Sequence, residues 1–78
     1  MNEDEEKKTV TGSVEEVLPD SLFRVRLPAE REGVDGELIL AYLAGKMRLH
    51  RIRVLVGDQV DMVLDPYGGR ARIVRRLT

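Results

Sequence analysis

The sequence has no cysteine and no tryptophan, and it has only one histidine, one phenylalanine and two tyrosines. Without cysteine the chain can form neither disulfides nor a reactive thiol. A zinc site needs about three or four histidine, cysteine or carboxylate ligands, so we predict no metal site and no cofactor. The single histidine, His50, lies in a basic run and offers no Ser–His or carboxylate–His arrangement. We therefore predict that the protein has no catalytic residues and is not an enzyme.

Long apolar runs are absent as well. No window approaches the roughly 20 apolar residues of a membrane-spanning helix, and the acidic N-terminus lacks the apolar region of a signal peptide. We therefore expect a cytoplasmic protein with no membrane partner. A length of 78 residues favours one small domain, which we expect to be a monomer. Residues 1–8, MNEDEEKK, are nearly all charged and predict a flexible acidic tail ahead of a folded domain at 9–78.

Alternation of apolar and polar residues predicts five short strands separated by turn-forming residues. After the third strand, KMRLHR predicts one or two helical turns or an irregular loop, anchored by Met47 and Leu49. Five strands with one short helical insert between the third and the fourth indicate an all-β, five-stranded OB-fold barrel, with an SH3-like barrel as the alternative. The predicted strands span residues 9–17, 22–27, 37–43, 59–65 and 70–76.

Individual strands carry further predictions. Gly12 lies inside the first strand and predicts a bulge or a sharp coil, which small barrels need at their corners. Phe23 shares the inward face of the second strand. Residues 29–36, AEREGVDG, predict a flexible hairpin loop. The third strand, ELILAYL, is almost entirely apolar, so we predict that it is buried on much of both faces.

The last hairpin has a definite predicted register. A four-residue loop, Pro-Tyr-Gly-Gly, would join the fourth and fifth strands. Leu64 and Met62 would then face the core, whereas Asp65 would face outwards and form a cross-strand ion pair of about 0.2–1 kcal/mol. The predicted pairs are Asp65 with Arg70, Leu64 with Ala71, and Met62 with Ile73.

The charge of the chain is unevenly distributed. A net charge of −1 argues against nucleic-acid binding. However, residues 1–37 hold 11 acidic and 5 basic residues, a net of −6, whereas residues 38–78 hold 3 acidic and 8 basic residues, a net of +5. Because salt screens charges over roughly 8–10 Å, the local charge matters more to a partner than the total. The alternative is a polar surface on which the two signs intermingle in space.

The strongest basic segment is AGKMRLHRIR, residues 44–53, which contains no acidic residue. Like charges placed this close repel one another, so the crowding is tolerated only next to water or a polyanion. We predict that this segment contacts phosphate. A second basic cluster lies near the C-terminus, and Arg24 and Arg26 on the second strand would extend the surface. The clustered cations are Lys46, Arg48, Arg51 and Arg53, and Arg70, Arg72, Arg75 and Arg76.

Some of these arginines have a purely structural alternative. Arg70 is the predicted partner of Asp65. Arg26 is alternatively a solvated surface residue, and Arg53 is alternatively a member of an internal ion pair. An internal ion pair is least expected for Lys46, Arg48 and Arg51, because no acidic residue follows them until Asp58.

Three stretches of the chain, across residues 10–76, resemble bacterial translation initiation factor one: LPDSLFRVRL, AYLAGKMRLHRIRVLVGD and VDMVLDPYGGRARIVRR. The specific part is GKMR followed by IRVLVGD, then a Pro-Tyr turn and RIV. The resemblance implies a single OB barrel of the S1 type, no catalysis, and ribosomal RNA (rRNA) as the partner. It further implies binding to the small ribosomal subunit at the decoding (A) site, near the top of a long rRNA helix, together with the other two initiation factors.

The resemblance also implies which residues contact rRNA, and the chain departs from the family at some of them. Tyr42 stands where many members have histidine, and Leu49 where a basic residue is common. Arg51 stands where several members have tyrosine and would replace the missing charge. The rRNA-binding residues that we predict from the resemblance and the basic clusters together are Lys46, Met47, Arg48, Arg51, Arg53, Tyr67, Arg70, Arg72 and Arg76, with Arg24, Tyr42 and His50 as additional contacts.

Two other functions fit the sequence. The first is a general single-strand RNA-binding OB protein or RNA chaperone. Such proteins present several aromatic stacking groups, whereas this chain has only Tyr42 and Tyr67 outside the predicted core, which favours recognition of phosphate and folded RNA. The second is a protein-interaction module whose basic surface docks an acidic partner.

Overall fold

The computed structural model describes residues 9–29, 33–65 and 67–77, and in them five strands close into a barrel. The strand order around the barrel is β1-β2-β3-β5-β4, and β4 pairs back onto β1. A 3₁₀ turn, Pro19–Ser21, joins β1 to β2, and one helix, α1, lies between β3 and β4. The elements are β1 (Thr9–Leu18), β2 (Leu22–Arg26), β3 (Leu38–Leu43), α1 (Gly45–Leu49), β4 (Gln59–Val63) and β5 (Ala71–Arg76).

This architecture confirms the predicted five-stranded OB-type barrel with a short helical insert between strands 3 and 4. All neighbouring strands are antiparallel except β3 and β5, which are parallel. The predicted acidic tail, residues 1–8, and residues 30–32 of the predicted hairpin loop lie outside the described residues, as do residues 66 and 78.

The first strand, β1, pairs with two neighbouring strands. Its first half pairs with β4, and its second half pairs with β2. The register shifts between Val14 and Glu16, so the irregularity lies beyond Gly12, where the sequence placed it. Gly12 has a different role: a Cβ there would lie 2.6 Å from Val25 Cγ1 and 2.7 Å from Met62 Cε. The glycine is therefore needed for the close approach of core side chains, and the shift after Val14 provides the bend.

The core fills the barrel and takes one residue from the helix. Phe23 is buried as predicted, and Met47 is only 2% exposed. Leu49, the second predicted anchor of the insert, is 76% exposed, so that prediction was wrong. A five-residue helix directs one position into the barrel, and Met47 occupies it. The buried residues are Val14, Phe23, Val25, Ala41, Met47, Val54, Val60, Met62, Ala71 and Ile73.

The third strand is less buried than its composition indicated. Of its six residues only Ala41 is fully buried, whereas Leu38 and Tyr42 are exposed. The prediction of burial on both faces was therefore wrong. Most of the apolar side chains of this strand therefore remain partly in contact with solvent.

The last hairpin keeps the predicted register only in its centre. Met62 pairs with Ile73 as predicted. β4 ends at Val63, however, and Leu64 is 38% exposed instead of facing the core. Asp65 does not form the predicted ion pair with Arg70: its Oδ1 accepts a hydrogen bond from the Tyr67 backbone N–H at 2.9 Å, and its carbonyl accepts one from Gly68 at 3.0 Å. The carboxylate is used in the turn, which ends the strand early.

Ion pairs connect the outer faces of β1 and β2. Glu15 accepts two hydrogen bonds from Arg26, at 2.9 and 3.0 Å, and Arg24 Nε lies 3.2 Å from a Glu16 carboxylate oxygen. The hydrogen bonds from Arg26 lower the pKa of Glu15, and the same bonds raise the pKa of Arg26. Arg26 also donates to the Gly36 carbonyl at 3.0 Å. It is therefore a paired structural residue and not the solvated one that we considered.

Gly36 permits a close backbone contact at the base of the β2–β3 connection. A Cβ at this position would overlap the Leu27 carbonyl oxygen and would lie 2.8 Å from the Pro28 carbonyl oxygen. Both neighbours are backbone atoms, and Leu27 donates to the Glu37 carbonyl at 2.8 Å. We expect Gly36→Ala to lower the free energy of unfolding by about 1–3 kcal/mol, measured by urea denaturation, because the backbone must move.

Gly45→Ala is the matched control for that substitution. A Cβ at Gly45 meets no atom within 4 Å, and the residue lies in the first turn of α1, where alanine is the better helix former by up to about 1 kcal/mol. We therefore expect the control to be neutral or mildly stabilising. Equal losses of stability in the two variants would contradict the steric argument.

Candidate nucleic-acid interface

Helix α1 begins directly where β3 ends, and the barrel fixes its direction. The Ala44 N–H donates to the Ile73 carbonyl of β5 at 2.8 Å, and the Ala44 carbonyl accepts from Met47 and Arg48 at 3.0 and 3.2 Å. Met47 is buried beneath the helix. Since Met47 faces the barrel, Lys46 and Arg48 face outwards, as predicted, and both are exposed.

The chain after the helix crosses the rim of the barrel and is held there by hydrogen bonds. Val54 is buried, and the Arg53 carbonyl accepts a hydrogen bond from Arg76 Nη1 at 2.9 Å. Further on, the Gly57 N–H donates to the Val14 carbonyl at 2.8 Å, and the predicted turn here is confirmed by the positive φ of 96° at Gly57. The segment that carries the basic residues is therefore fixed at both ends.

An open groove of about 580 Å³ lies between this segment, the helix and the β1–β2 turn. Its floor is apolar and includes Phe23 and Met47, whereas Arg48, Arg51 and Arg53 line its edge. Ser21, a polar residue that also lines the groove, carries no signal of this role in the sequence. The groove combines the turn after β1 with residues about thirty positions later, and no local pattern reveals that proximity.

The four cations of the insert are not paired with any acidic residue in the described part of the chain. Within residues 9–29, 33–65 and 67–77, none of their side chains forms an ion pair or a hydrogen bond. By contrast, three arginines elsewhere on the barrel are paired with acids, including Arg75 with Asp61 at 3.4 Å. The internal ion pair considered for Arg53 is thus not found in the described part of the chain. The cations of the insert are Lys46, Arg48, Arg51 and Arg53, all exposed.

The C-terminal basic cluster divides into different environments. Arg70 is exposed and unpaired within the described ranges. Arg76 reaches the backbone of Arg53 and so holds the basic segment. Arg72 pairs with Tyr42 across the parallel strands β3 and β5. Its Nε is buried and has no hydrogen-bond partner among the described residues.

The remaining predicted contact residues also fall in different places. Tyr67 is 95% exposed at the tip of the β4–β5 turn. His50 is exposed at the end of α1, and its backbone N–H donates to the Lys46 carbonyl at 3.0 Å. Arg24 is paired with Glu16. Met47, which the family motif includes, has its side chain in the core, where only its end reaches the floor of the groove.

Two further kinds of feature are absent from the described part of the chain. No group of three or more histidine and acidic residues is placed to hold a metal ion there. Likewise, none of the helices in residues 9–29, 33–65 and 67–77 has the length and apolar character needed to cross a membrane.

Comparison with known proteins identifies the family. The model of the family described as Translation initiation factor 1A / IF-1 matches residues 1–78. The chain belongs to this family. Translation initiation factor IF-1 of Rhodospirillum rubrum is 48% identical over 73 residues, which cover 92% of this chain and 70% of that protein. The IF-1 family consists of non-enzymatic RNA-binding factors, which confirms the predicted initiation factor and the prediction that the chain is not an enzyme.

Solved structures support the same assignment of the fold. The solution structure of translation initiation factor IF-1 from the Wolbachia endosymbiont strain TRS of Brugia malayi has a TM-score of 0.69 and 33% identity, covering 100% of this chain and 90% of that chain. The crystal structure of YjeQ from Thermotoga maritima has a TM-score of 0.70 and 28% identity, covering 91% of this chain and 23% of that chain. This IF-1 family member thus spans less than a quarter of YjeQ, and the similarity to YjeQ concerns the barrel.

Proposed function

We propose that this IF-1 family member binds the small ribosomal subunit at the decoding (A) site, in the cytoplasm, through contacts to rRNA phosphates. Bound there, the barrel blocks premature entry of tRNA into that site and leaves the neighbouring site to the initiator tRNA. It acts together with the other two initiation factors.

One observation carries this proposal: the cations of the insert are exposed and lack an acidic partner in the described part of the chain. Repulsion among Lys46, Arg48, Arg51 and Arg53 is unfavourable for the isolated fold, and a polyphosphate backbone removes it by supplying counter-charge. The hydrogen bond from Arg76 keeps the segment in place, so little ordering is needed when the partner binds.

The proposed rRNA contacts outside the insert are inferred mainly from the exposure of their side chains. Tyr67 and Arg70 belong to one exposed turn and would contact RNA together. Arg72 and Tyr42 are neighbours on β3 and β5, where the exposed Tyr42 and the half-buried Arg72 would contact RNA together. Arg24 would contribute less, because it is already paired with Glu16.

The test is competitive binding to isolated bacterial small ribosomal subunits, followed by fluorescence anisotropy of the labelled chain. We expect binding that resists an excess of unstructured single-stranded RNA. We also expect bound chain to reduce elongator tRNA binding to the decoding site while initiator tRNA binding persists, and the other two factors to strengthen binding.

Two results would favour the other functions. Efficient displacement by unstructured RNA would indicate a general RNA-binding protein or chaperone. Undiminished binding to subunits stripped of accessible rRNA helices would indicate an acidic protein partner.

A further inference from the structure

Helix α1 ends in a complete Schellman motif. The Arg51 N–H donates to the Arg48 carbonyl at 3.2 Å, and the Ile52 N–H donates to the Met47 carbonyl at 2.9 Å. In this motif the first residue after the C-cap adopts the left-handed conformation. Here that residue is Arg51, whose φ is 53°. An arginine therefore stands at the one position of the motif that glycine normally occupies.

A side chain at this position destabilises the fold. In the left-handed conformation Cβ lies too close to the following carbonyl oxygen, a repulsion that glycine avoids. Within the described ranges only three residues other than glycine have positive φ: Asp20, Ser21 and Arg51. Ser21 and Arg51 both line the groove. Costly backbone conformations tend to cluster where a ligand binds.

The described part of the chain does not compensate for this cost. The Arg51 side chain is exposed and forms no hydrogen bond or ion pair there. Attraction to the helix C-terminus is a weak reason for a cation at this position, because α1 has five residues and its last turn already holds Lys46 and Arg48.

We propose that this chain keeps Arg51, at the expense of a stabilising glycine, because its guanidinium binds an rRNA phosphate at the edge of the groove. Arg51 thus lowers the stability of the isolated protein and raises its affinity for rRNA. This inference rests on the proposed function, and it concerns a binding contact that the local structure alone disfavours.

Arg51→Gly tests both the stability of the free protein and its binding to small subunits. We expect the Tm of the free protein to rise by about 4–8 °C, since roughly 1 kcal/mol has that effect in a domain of this size. We expect the log–log salt slope of binding to isolated small subunits to fall by about 0.7–0.9, the loss of one phosphate contact.

Two further variants separate conformation from charge. Arg51→Ala removes the charge but keeps a Cβ, so we expect the same loss of slope with no rise in Tm. His50→Gly places glycine at the preceding residue, whose φ is −89°, and we expect its Tm to fall.

The outcomes are distinct. A lower Tm for Arg51→Gly would show that the conformation is not costly, and it would overturn the inference. If the unchanged chain binds subunits but both Arg51 variants keep its salt slope, the inference alone is overturned. If the unchanged chain does not bind subunits, the proposed function and the inference are overturned together.

Discussion

Replacing Lys46, Arg48 and Arg51 together with glutamine is expected to flatten the salt dependence of small-subunit binding by about two to three units of log–log slope. Each cation that neutralises a phosphate releases condensed counterions from the RNA, and this release weakens binding as salt rises. The three side chains are exposed and lack acidic partners in the described part of the chain, so each is available for one contact.

The effect is large enough to measure directly. A slope change of two to three units corresponds to a roughly 15–60-fold difference in the loss of affinity between 50 and 200 mM salt. The matched control is the charge-retaining variant Lys46→Arg, Arg48→Lys, Arg51→Lys, which should keep the slope of the unchanged chain. A triple glutamine variant with an unchanged slope would remove these residues from the interface.

Met62→Ala is expected to lower the free energy of unfolding by about 2–5 kcal/mol. Met62 is fully buried in the barrel, opposite Ile73. Truncation removes its apolar contacts and leaves a cavity that the closed barrel cannot fill by collapse. Because small domains have a total stability of about 5–15 kcal/mol, a loss of this size leaves a substantial fraction of the protein unfolded on moderate warming.

Leu64→Ala is the matched control for Met62→Ala, since the two residues share a strand parity and lie two positions apart. Leu64 lies beyond the end of β4 and is exposed. We expect its truncation to cost less than about 1 kcal/mol in the same urea unfolding experiment. If instead Leu64→Ala proved as costly as Met62→Ala, the strand would extend further than β4 does here.

The parts of the fold that were predictable from sequence are those determined by local patterns. Alternation at Val10, Gly12 and Val14 indicated the first strand and its inward face, both of which the structure confirms. The Gly57 turn and the pairing of Met62 with Ile73 follow from turn-forming residues and strand parity. The outward direction of the basic side chains follows from their incompatibility with a core.

The parts that were not predictable depend on competition between distant or alternative partners. Asp65 could pair with Arg70 or bond the backbone of its own turn, and the second bond shortens β4. Leu49 had the composition of a core residue, but a helix this short has room for one inward position, taken by Met47. The groove required the tertiary fold, since it joins the β1–β2 turn to the segment after α1.

The double pairing of β1 has a consequence for the order of folding. Residues 9–13 of β1 pair with 59–63 of β4, and Thr11 bonds Asp61 across 50 positions of sequence. During synthesis the β1–β2 hairpin can form early, but the first half of β1 has no partner until residue 63 has left the ribosome. Closure across such a separation is entropically slow, so an emerging chain exposes an unpaired strand edge until β4 has been synthesised and has left the ribosome. Nascent chains halted before residue 59 should therefore remain protease-sensitive at β1.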